Sequence, residues 1–333
     1  MATTERYDAI IIGAGQAGGP LSTDLANAGW RTALVERKHV GGTCVNEGCA
    51  PTKTMIASAR VAYLVQRAAD YGVHTGPVTV DMTKVRQRKR DIVHSFRGGS
   101  QQRIQGTDGL DLVMGEARFT GPKTVEVSLS DGGTRRLTAG KILINAGARP
   151  RKPSLLGLDT IPYLDSTSIM ELDEVPEHLL VLGGGYIGLE FGQMFLRFGS
   201  RVAIVQRRAQ LLPREDADVA GELANILRED GIELLLETQP LRVEGDSDGR
   251  VRLTVGTPDG ERVISGSHLL VAAGRVPNTD RLNLRAAGIE VSERGFVPVN
   301  ERLETIVPGV YALGDVNGGP AFTHISYDDY RVI

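Results

Sequence analysis

An α/β fold with two Rossmann-like dinucleotide-binding domains is what the sequence predicts, because one pattern occurs in it twice. The first copy reads Tyr7-Asp-Ala-Ile-Ile-Ile-Gly13-Ala-Gly15-Gln-Ala-Gly18. A β-branched apolar run enters the glycines, a helical pattern over Leu21 to Ala28 leaves them, and a strand follows from Thr32 to Val35, ending in Glu36. The second copy reads His178-Leu-Leu-Val-Leu-Gly183-Gly-Gly185-Tyr186-Ile187-Gly188, with a helix through Arg197 and a strand from Arg201 to Val205. Gly13, Gly15, Gly18 and Glu36 map onto Gly183, Gly185, Gly188 and Gln206, each displaced by 170 positions. In such a unit the first glycine makes the tight turn and the second lets backbone approach a pyrophosphate. The third lets helix and strand pack closely, and the helix N-terminus offers free N–H groups and a partial positive charge. A lone Gly-x-Gly-x-x-Gly is a weak signal in a glycine-rich chain; two copies in full strand–turn–helix–strand context are a strong one.

The copies differ where a ribose would sit. Glu36 follows Gly15 by 21 residues, near the ~20 expected of a carboxylate that accepts from ribose hydroxyls. The second copy has Gln206 there, followed by Arg207 and Arg208. A carboxylate would repel a 2′-phosphate, whereas arginines bind one with charge-assisted bonds. The first site is therefore expected to hold FAD or NAD, and the second to prefer NADPH over NADH. The bland alternative for Arg207 and Arg208 is a solvated surface pair.

Composition agrees with a globular protein and excludes several other classes. Glycine supplies 41 of 333 residues, against roughly 7% in an average chain, and no collagen period accompanies it. A formal net charge of −3 disfavours a dedicated nucleic-acid binder. The basic stretch Lys84-Val-Arg-Gln-Arg-Lys-Arg90 has no aromatic interleaving and reads as a solvated helix face. No apolar run approaches the ~18 residues of a membrane span; Ala9–Ile12 and Leu179–Leu182 are strand-sized. The opening residues show no signal-peptide core. A cytoplasmic protein without nucleic-acid or membrane partners is expected.

Both cysteines of the chain lie in Gly41-Gly42-Thr43-Cys44-Val-Asn-Glu-Gly48-Cys49-Ala-Pro51-Thr52-Lys53. No histidine accompanies them in this motif, so a zinc site lacks ligands; a redox-active disulfide needs only the pair. Residues five apart on a regular helix sit about 8–9 Å apart, and a disulfide wants Cα atoms within ~7 Å. The segment must therefore be distorted, which Gly48 permits. Pro51 suits the first turn of a helix running to about Arg67. Cys49 then lies near a helix N-terminus, where a thiolate is favoured, with Lys53 one turn later on the same face. The alternative is two unrelated buried thiols.

With those residues in hand, the chain resembles the flavin-dependent pyridine nucleotide–disulphide oxidoreductases, the class I family of dihydrolipoamide dehydrogenase, glutathione reductase and mercuric reductase. The resemblance extends from Tyr7 to the last residues. It implies FAD at the first fold, NAD(P)H at the second, and an NAD(P) domain inserted in the FAD domain. By position, Cys49 matches the flavin-proximal thiol, Cys44 the interchange thiol that meets the substrate, Lys53 the lysine beside flavin N5, and Glu190 the glutamate paired with that lysine. Gly41–Gly42 and Thr43 match the segment that approaches the flavin, and Tyr186 the residue that covers the nicotinamide pocket. The stretch containing Gly115, Ala117 and Phe119 is similar to the one whose backbone meets the adenine. Ile144-Asn-Ala-Gly147-Ala-Arg-Pro150 matches the strand and turn leaving the FAD domain, although the family usually has Ala-Thr-Gly where this chain has Asn145, Ala146 and Gly147. Ala272-Ala-Gly274-Arg275-Val-Pro277-Asn278 matches the exit from the NAD(P) domain. Val310-Tyr-Ala-Leu-Gly314-Asp315 resembles the second FAD motif, whose aspartate holds the ribityl hydroxyls, and Ala321-Phe-Thr-His324 the start of the helix facing the flavin O2 side.

The expected organisation is an FAD domain over residues 1–153, an NAD(P) domain over 154–279, and a return to the FAD domain over 280–333. The family continues into a dimerisation domain that this sequence does not contain, so the full-length protein is expected to be a homodimer. The leading functional reading is hydride transfer from NADPH to FAD and on to a Cys44–Cys49 disulfide. That pair would then reduce a small-molecule or small-protein disulfide, or a thiophilic metal such as Hg(II). The competing readings are an FAD- and NADPH-binding module without thiol turnover, and a flavin oxidase or dye reductase in which the cysteines are structural. No resident metal is expected.

Overall fold

The protein is described here by a computed structural model covering residues 4–333. Met1–Thr3, part of the stretch read for a leader, lie outside the described residues. The chain forms two compact units. Unit 1 takes residues 4–50, 92–149 and 275–333, and unit 2 takes 51–91 and 150–274.

In unit 1, β1 (Thr4–Ile12) is flanked in parallel by β2 (Thr32–Glu36) and by β5 (Thr134–Ile144). Beyond β2 lies β3 (Leu110–Gly121), and beyond β5 lies β15 (Val310–Ala312), both parallel. The strand β4 (Thr124–Leu129) joins β3 to β5 antiparallel. The helix α1 (Gly18–Asn27) connects β1 to β2. Unit 2 repeats the arrangement. Here β7 (His178–Leu182) sits between β13 (His268–Val271) and β8 (Arg201–Val205), with β9 (Glu233–Leu235) outermost, all parallel. The helix α5 (Tyr186–Phe198) connects β7 to β8, and α6 (Ala217–Glu229) connects β8 to β9. A separate antiparallel sheet is made by β10 (Gln239–Gly245), β11 (Val251–Thr257) and β12 (Gly260–Gly266).

Parallel strands covered on both faces require continuous apolar runs. Ile10 and Ile12 feed one core cluster while Ala9 and Ile11 feed another, and in β7 Leu179 and Val181 separate in the same way from Leu180 and Leu182. The longer segment of unit 2 runs from residue 150 to 274. One segment differs from expectation. Residues 51–91 group with unit 2 and not with the first unit. They carry most of α3 (Cys49–Gln66) and the first part of α4 (Met82–Gln105). Met55, Ala59 and Met82 are buried with Phe191, Met194 and Phe195 of α5, which fixes the segment there.

The basic stretch on α4 also departs from a solvated face. Lys89 is only 3% exposed and is paired with Glu171, which Arg90 also engages. Arg86 reaches the Glu171 carbonyl (2.7 Å), and Arg88 reaches the Thr54 carbonyl (2.8 Å). Four of the run's five cations are thus committed to partners within unit 2. Among the described residues no helix is long and apolar enough to cross a membrane.

Candidate functional site

The cysteine loop has the break that its spacing demands. The short helix α2 (Gly42–Asn46) ends at Glu47, whose φ of −141° leaves helical space, and α3 begins at Cys49. The loop is fastened to the first glycine turn. Gly41 donates to the Ala14 carbonyl (2.8 Å), and a side chain on Gly42 would stand 2.6 Å from the Gly15 Cα. Asn46 donates to the carbonyls of Val40 and Gly42 (2.9 Å each) and accepts from Arg97 (2.7 Å). Both cysteines are free thiols, so the expected disulfide is not formed in this structure. Cys44 is half-buried and Cys49 exposed. Burial pushes the Cys44 thiol up to about 11, a nearby Thr323 hydroxyl lowers it and the adjacent Cys49 raises it. The Thr323 hydroxyl lies 3.3 Å from the Cys49 sulfur.

In unit 1 the glycine turn is closed from behind by the end of β5. The Gly13 amide donates to the Val35 carbonyl (2.8 Å), and a side chain at Gly13, whose φ is +107°, would fall on the Asn145 carbonyl. The Asn145 side chain is buried. It accepts from the Gly18 amide (2.9 Å) and donates to the Leu313 carbonyl (3.0 Å). It thereby caps α1 from another strand, a role that Ala17 at the helix start cannot fill. A cavity of about 220 Å³ opens beside this turn, lined among others by Gly13, Glu36, Gly115, Glu116, Ala117 and Arg281. Glu36 is held there by the amides of Ala14 (2.9 Å), Lys38 (2.7 Å) and His39 (3.2 Å).

The second motif of unit 1 is equally constrained. Burial raises the Asp315 carboxyl above its ordinary value, and Arg275, 3.9 Å away and half-buried, opposes that rise. Asp329, on α7 (Thr323–Val332), accepts from the Gly314 amide (2.7 Å). Gly147 sits in the exit turn, its carbonyl accepting from the Asn278 amide (3.0 Å). Ala321 is exposed just before α7.

Unit 2 contains the counterpart turn. The Gly183 amide donates to the Val205 carbonyl (2.9 Å), with φ again positive at +118°. A side chain at Gly188 would fall on the Gly183 carbonyl, as one at Gly18 would on that of Gly13. Nothing lies within 4 Å of where a Gly185 side chain would be, so that glycine keeps open space in front of the helix. Tyr186 starts α5 exposed and donates to Glu215, while Ile187 is partly buried in the apolar cluster behind it. Gln206 is buried, and its amide donates to the Gln210 carbonyl (3.0 Å). Arg207 and Arg208 are exposed, and among the described residues their side chains make no hydrogen bond or ion pair. Gly274 closes the unit, accepting from the Arg151 amide (2.9 Å). Lys53 and Glu190 form an ion pair within unit 2.

The family model for pyridine nucleotide-disulphide oxidoreductases matches residues 7–329. The chain belongs to that family. Its members are FAD-dependent enzymes that use a pyridine nucleotide. The probable pyridine nucleotide-disulfide oxidoreductase RclA of Escherichia coli is 39% identical over 331 residues, covering 98% of this chain and 70% of the relative. A mercuric reductase of Streptomyces lividans is 38% identical over 321 residues, covering 96% and 67%. The structure of RclA in complex with Cu(II) superposes with a TM-score of 0.87 at 37% identity, covering 98% of this chain and 70% of that one. The chain thus spans about two thirds of the length of these relatives.

The residues present fit the family's flavin nucleotide. The cavity ends on a glycine turn that only hydrogen-sized side chains leave open, and Glu36 offers a carboxylate at its rim. FAD would be held by Gly13–Gly18 and Glu36, with Asp315 presented from the second motif. Sequence reasoning missed two contributors. Asn145 was visible only as a departure from the usual strand end, and Thr323 had no spacing signal, since 274 positions separate it from Cys49.

Proposed function

We propose that the chain carries NADPH-dependent flavin chemistry that ends on the Cys44–Cys49 pair and reduces a disulfide or a thiophilic metal ion. The observation that carries this reading is the pair itself: two free thiols five positions apart, one half-buried and one exposed at a helix start, on a loop fastened to the glycine turn. FAD, when bound, accepts hydride from a nicotinamide and passes two electrons to a disulfide. Cys49 is the flavin-side thiol and Cys44 the one that attacks the acceptor. Lys53 is the cation that the family resemblance puts beside flavin N5, and Glu190 holds it. Tyr186 covers the nicotinamide pocket and is latched by Glu215 until the coenzyme arrives.

The preference for NADPH is supported by Arg207 and Arg208, whose side chains are uncommitted, and by Gln206, which brings no charge. Hg(II) and Cu(II) are the metal acceptors to try first, because relatives are named for the one and solved with the other. The exposure of Cys49 argues against a purely structural pair. The test is NADPH oxidation by the FAD-loaded protein with a small disulfide, Hg(II), Cu(II) or a quinone dye. Turnover with a disulfide or a metal that Cys44→Ser abolishes is expected. Turnover with the dye alone would overturn the thiol half of the reading.

A further inference from the structure

The helix that carries Cys44 cannot hold itself. α2 has five residues, none of them buried, and no side chain caps its start. An isolated helix needs about 12–15 residues to be even marginal in water. The order of α2 therefore comes from its neighbours, and its far end is fixed by Asn46. The Asn46 amide nitrogen donates to two main-chain carbonyls, those of Val40 and Gly42 (2.9 Å each). Its oxygen accepts from Arg97 Nε (2.7 Å). Arg97 comes from the later part of α4, 51 positions along, and lies with both cysteines in unit 1. Among the described residues its half-buried side chain makes no ion pair and no other hydrogen bond. A guanidinium has donors only, whereas an amide has a donor end and an acceptor end. Arg97 thus decides which way Asn46 faces. With the oxygen taken, the amide turns its hydrogens to the two carbonyls; a flipped amide would meet them oxygen to oxygen.

We propose that Arg97 is the positioning residue of the cysteine loop: acting through Asn46, it holds Cys44 where a disulfide with Cys49 forms readily. The inference rests on the proposed role of the pair. Joining two thiols on a fixed frame costs less ordering than joining them on a loose segment, so fixing α2 favours the disulfide. Against glutathione, the two S–H bonds of the pair break and one S–S bond forms. One glutathione disulfide takes up the two electrons and two protons and becomes two glutathione thiols. Arg97 supplies neither electron nor proton. A direct action of its charge on a thiolate would stabilise the reduced form instead and shift the equilibrium the other way. The sign of the effect separates positioning from charge.

The experiment equilibrates the FAD-loaded protein, without NADPH or oxygen, in buffers of graded glutathione to glutathione-disulfide ratio. Acid quenching and alkylation then give, by peptide mass, the fraction of Cys44 joined to Cys49. Arg97→Met keeps an unbranched apolar stem and loses the donor. Losing a charge-assisted hydrogen bond should lower the constant for disulfide formation about tenfold in R97M, roughly 30 mV for two electrons. Asn46→Ala should lower it at least as much. The double variant should be no worse than N46A, because the two residues act in series. Bound FAD and the urea midpoint are measured alongside; a loss of stability alone leaves the glutathione equilibrium where it was. An unchanged constant in R97M or in N46A, a shift toward the disulfide, or additive effects of the two substitutions overturns the positioning role. The long-wavelength thiolate–flavin absorbance of the reduced protein reads the function separately. Its absence from the wild type would sink the flavin-linked role, while the glutathione contrast would still decide Arg97.

Discussion

The glycine turns of units 1 and 2 are built alike and finished differently. In both, the first glycine has a positive φ and its amide is tied to the second strand, and the third glycine leaves no room for a side chain beside the first. They part at the strand that closes them from behind. Unit 1 has Asn145 there, a polar side chain spanning the α1 start and the Leu313 carbonyl, and a Gly15 side chain would stand 2.9 Å from its oxygen. Unit 2 has Ala272, and the space before Gly185 is open. The backbone geometry is thus common to any dinucleotide turn, while side chains decide what each turn holds and how firmly.

If the shared part is structural, equivalent glycine substitutions should do equal harm. Gly18→Ala and Gly188→Ala each push a methyl into a carbonyl oxygen that has no room to move. Each should destabilise its unit by about 3 kcal/mol or more, read as loss of the corresponding urea transition. A large inequality between the two would break the equivalence.

The difference at the back of the turn predicts a smaller, one-sided effect. Asn145→Ala strands a buried amide and a buried carbonyl, which should cost about 1–3 kcal/mol of stability and weaken FAD retention on gel filtration. Unit 2 offers no such target, because Ala272 uses only its backbone; Ala272→Gly should leave coenzyme affinity nearly unchanged.

The ribose position sharpens the contrast further. Replacing Arg207 and Arg208 with Ala should lower kcat/KM for NADPH by about tenfold per arginine while sparing NADH. Adding Gln206→Glu should favour NADH, as a carboxylate would repel the 2′-phosphate. The mildest expected effect concerns acid. Burial lowers His178 and His268, both in unit 2, below the usual histidine value. As pH falls through about 6.5, the unfolded chain takes up protons before these folded residues do. Stability that is complete above that range is lost below it. Replacing both histidines with Gln should flatten the acid side of the unit 2 unfolding profile.

Much of this was legible in the sequence because it is periodic and local. Strand ends, glycine spacing, the helix break at Gly48 and the Glu36/Gln206 contrast all follow from neighbours along the chain. What was not legible is what the tertiary fold brings together. Residues 51–91 join unit 2 because Met55, Ala59 and Met82 find the α5 core, and an amphipathic helix does not announce its partner. Lys89 reads as one more surface cation until Glu171 is seen beside it. Asn145 and Thr323 each act on groups more than a hundred positions away.

The central claim is that bound flavin and the Cys44–Cys49 pair form one redox unit. The direct measurement is an anaerobic NADPH titration of the FAD-loaded protein followed by visible absorbance. A long-wavelength thiolate–flavin band should grow in, persist in Cys44→Ser, and be missing from Cys49→Ser. Bound, reducible FAD with no such band in the wild type would contradict the account.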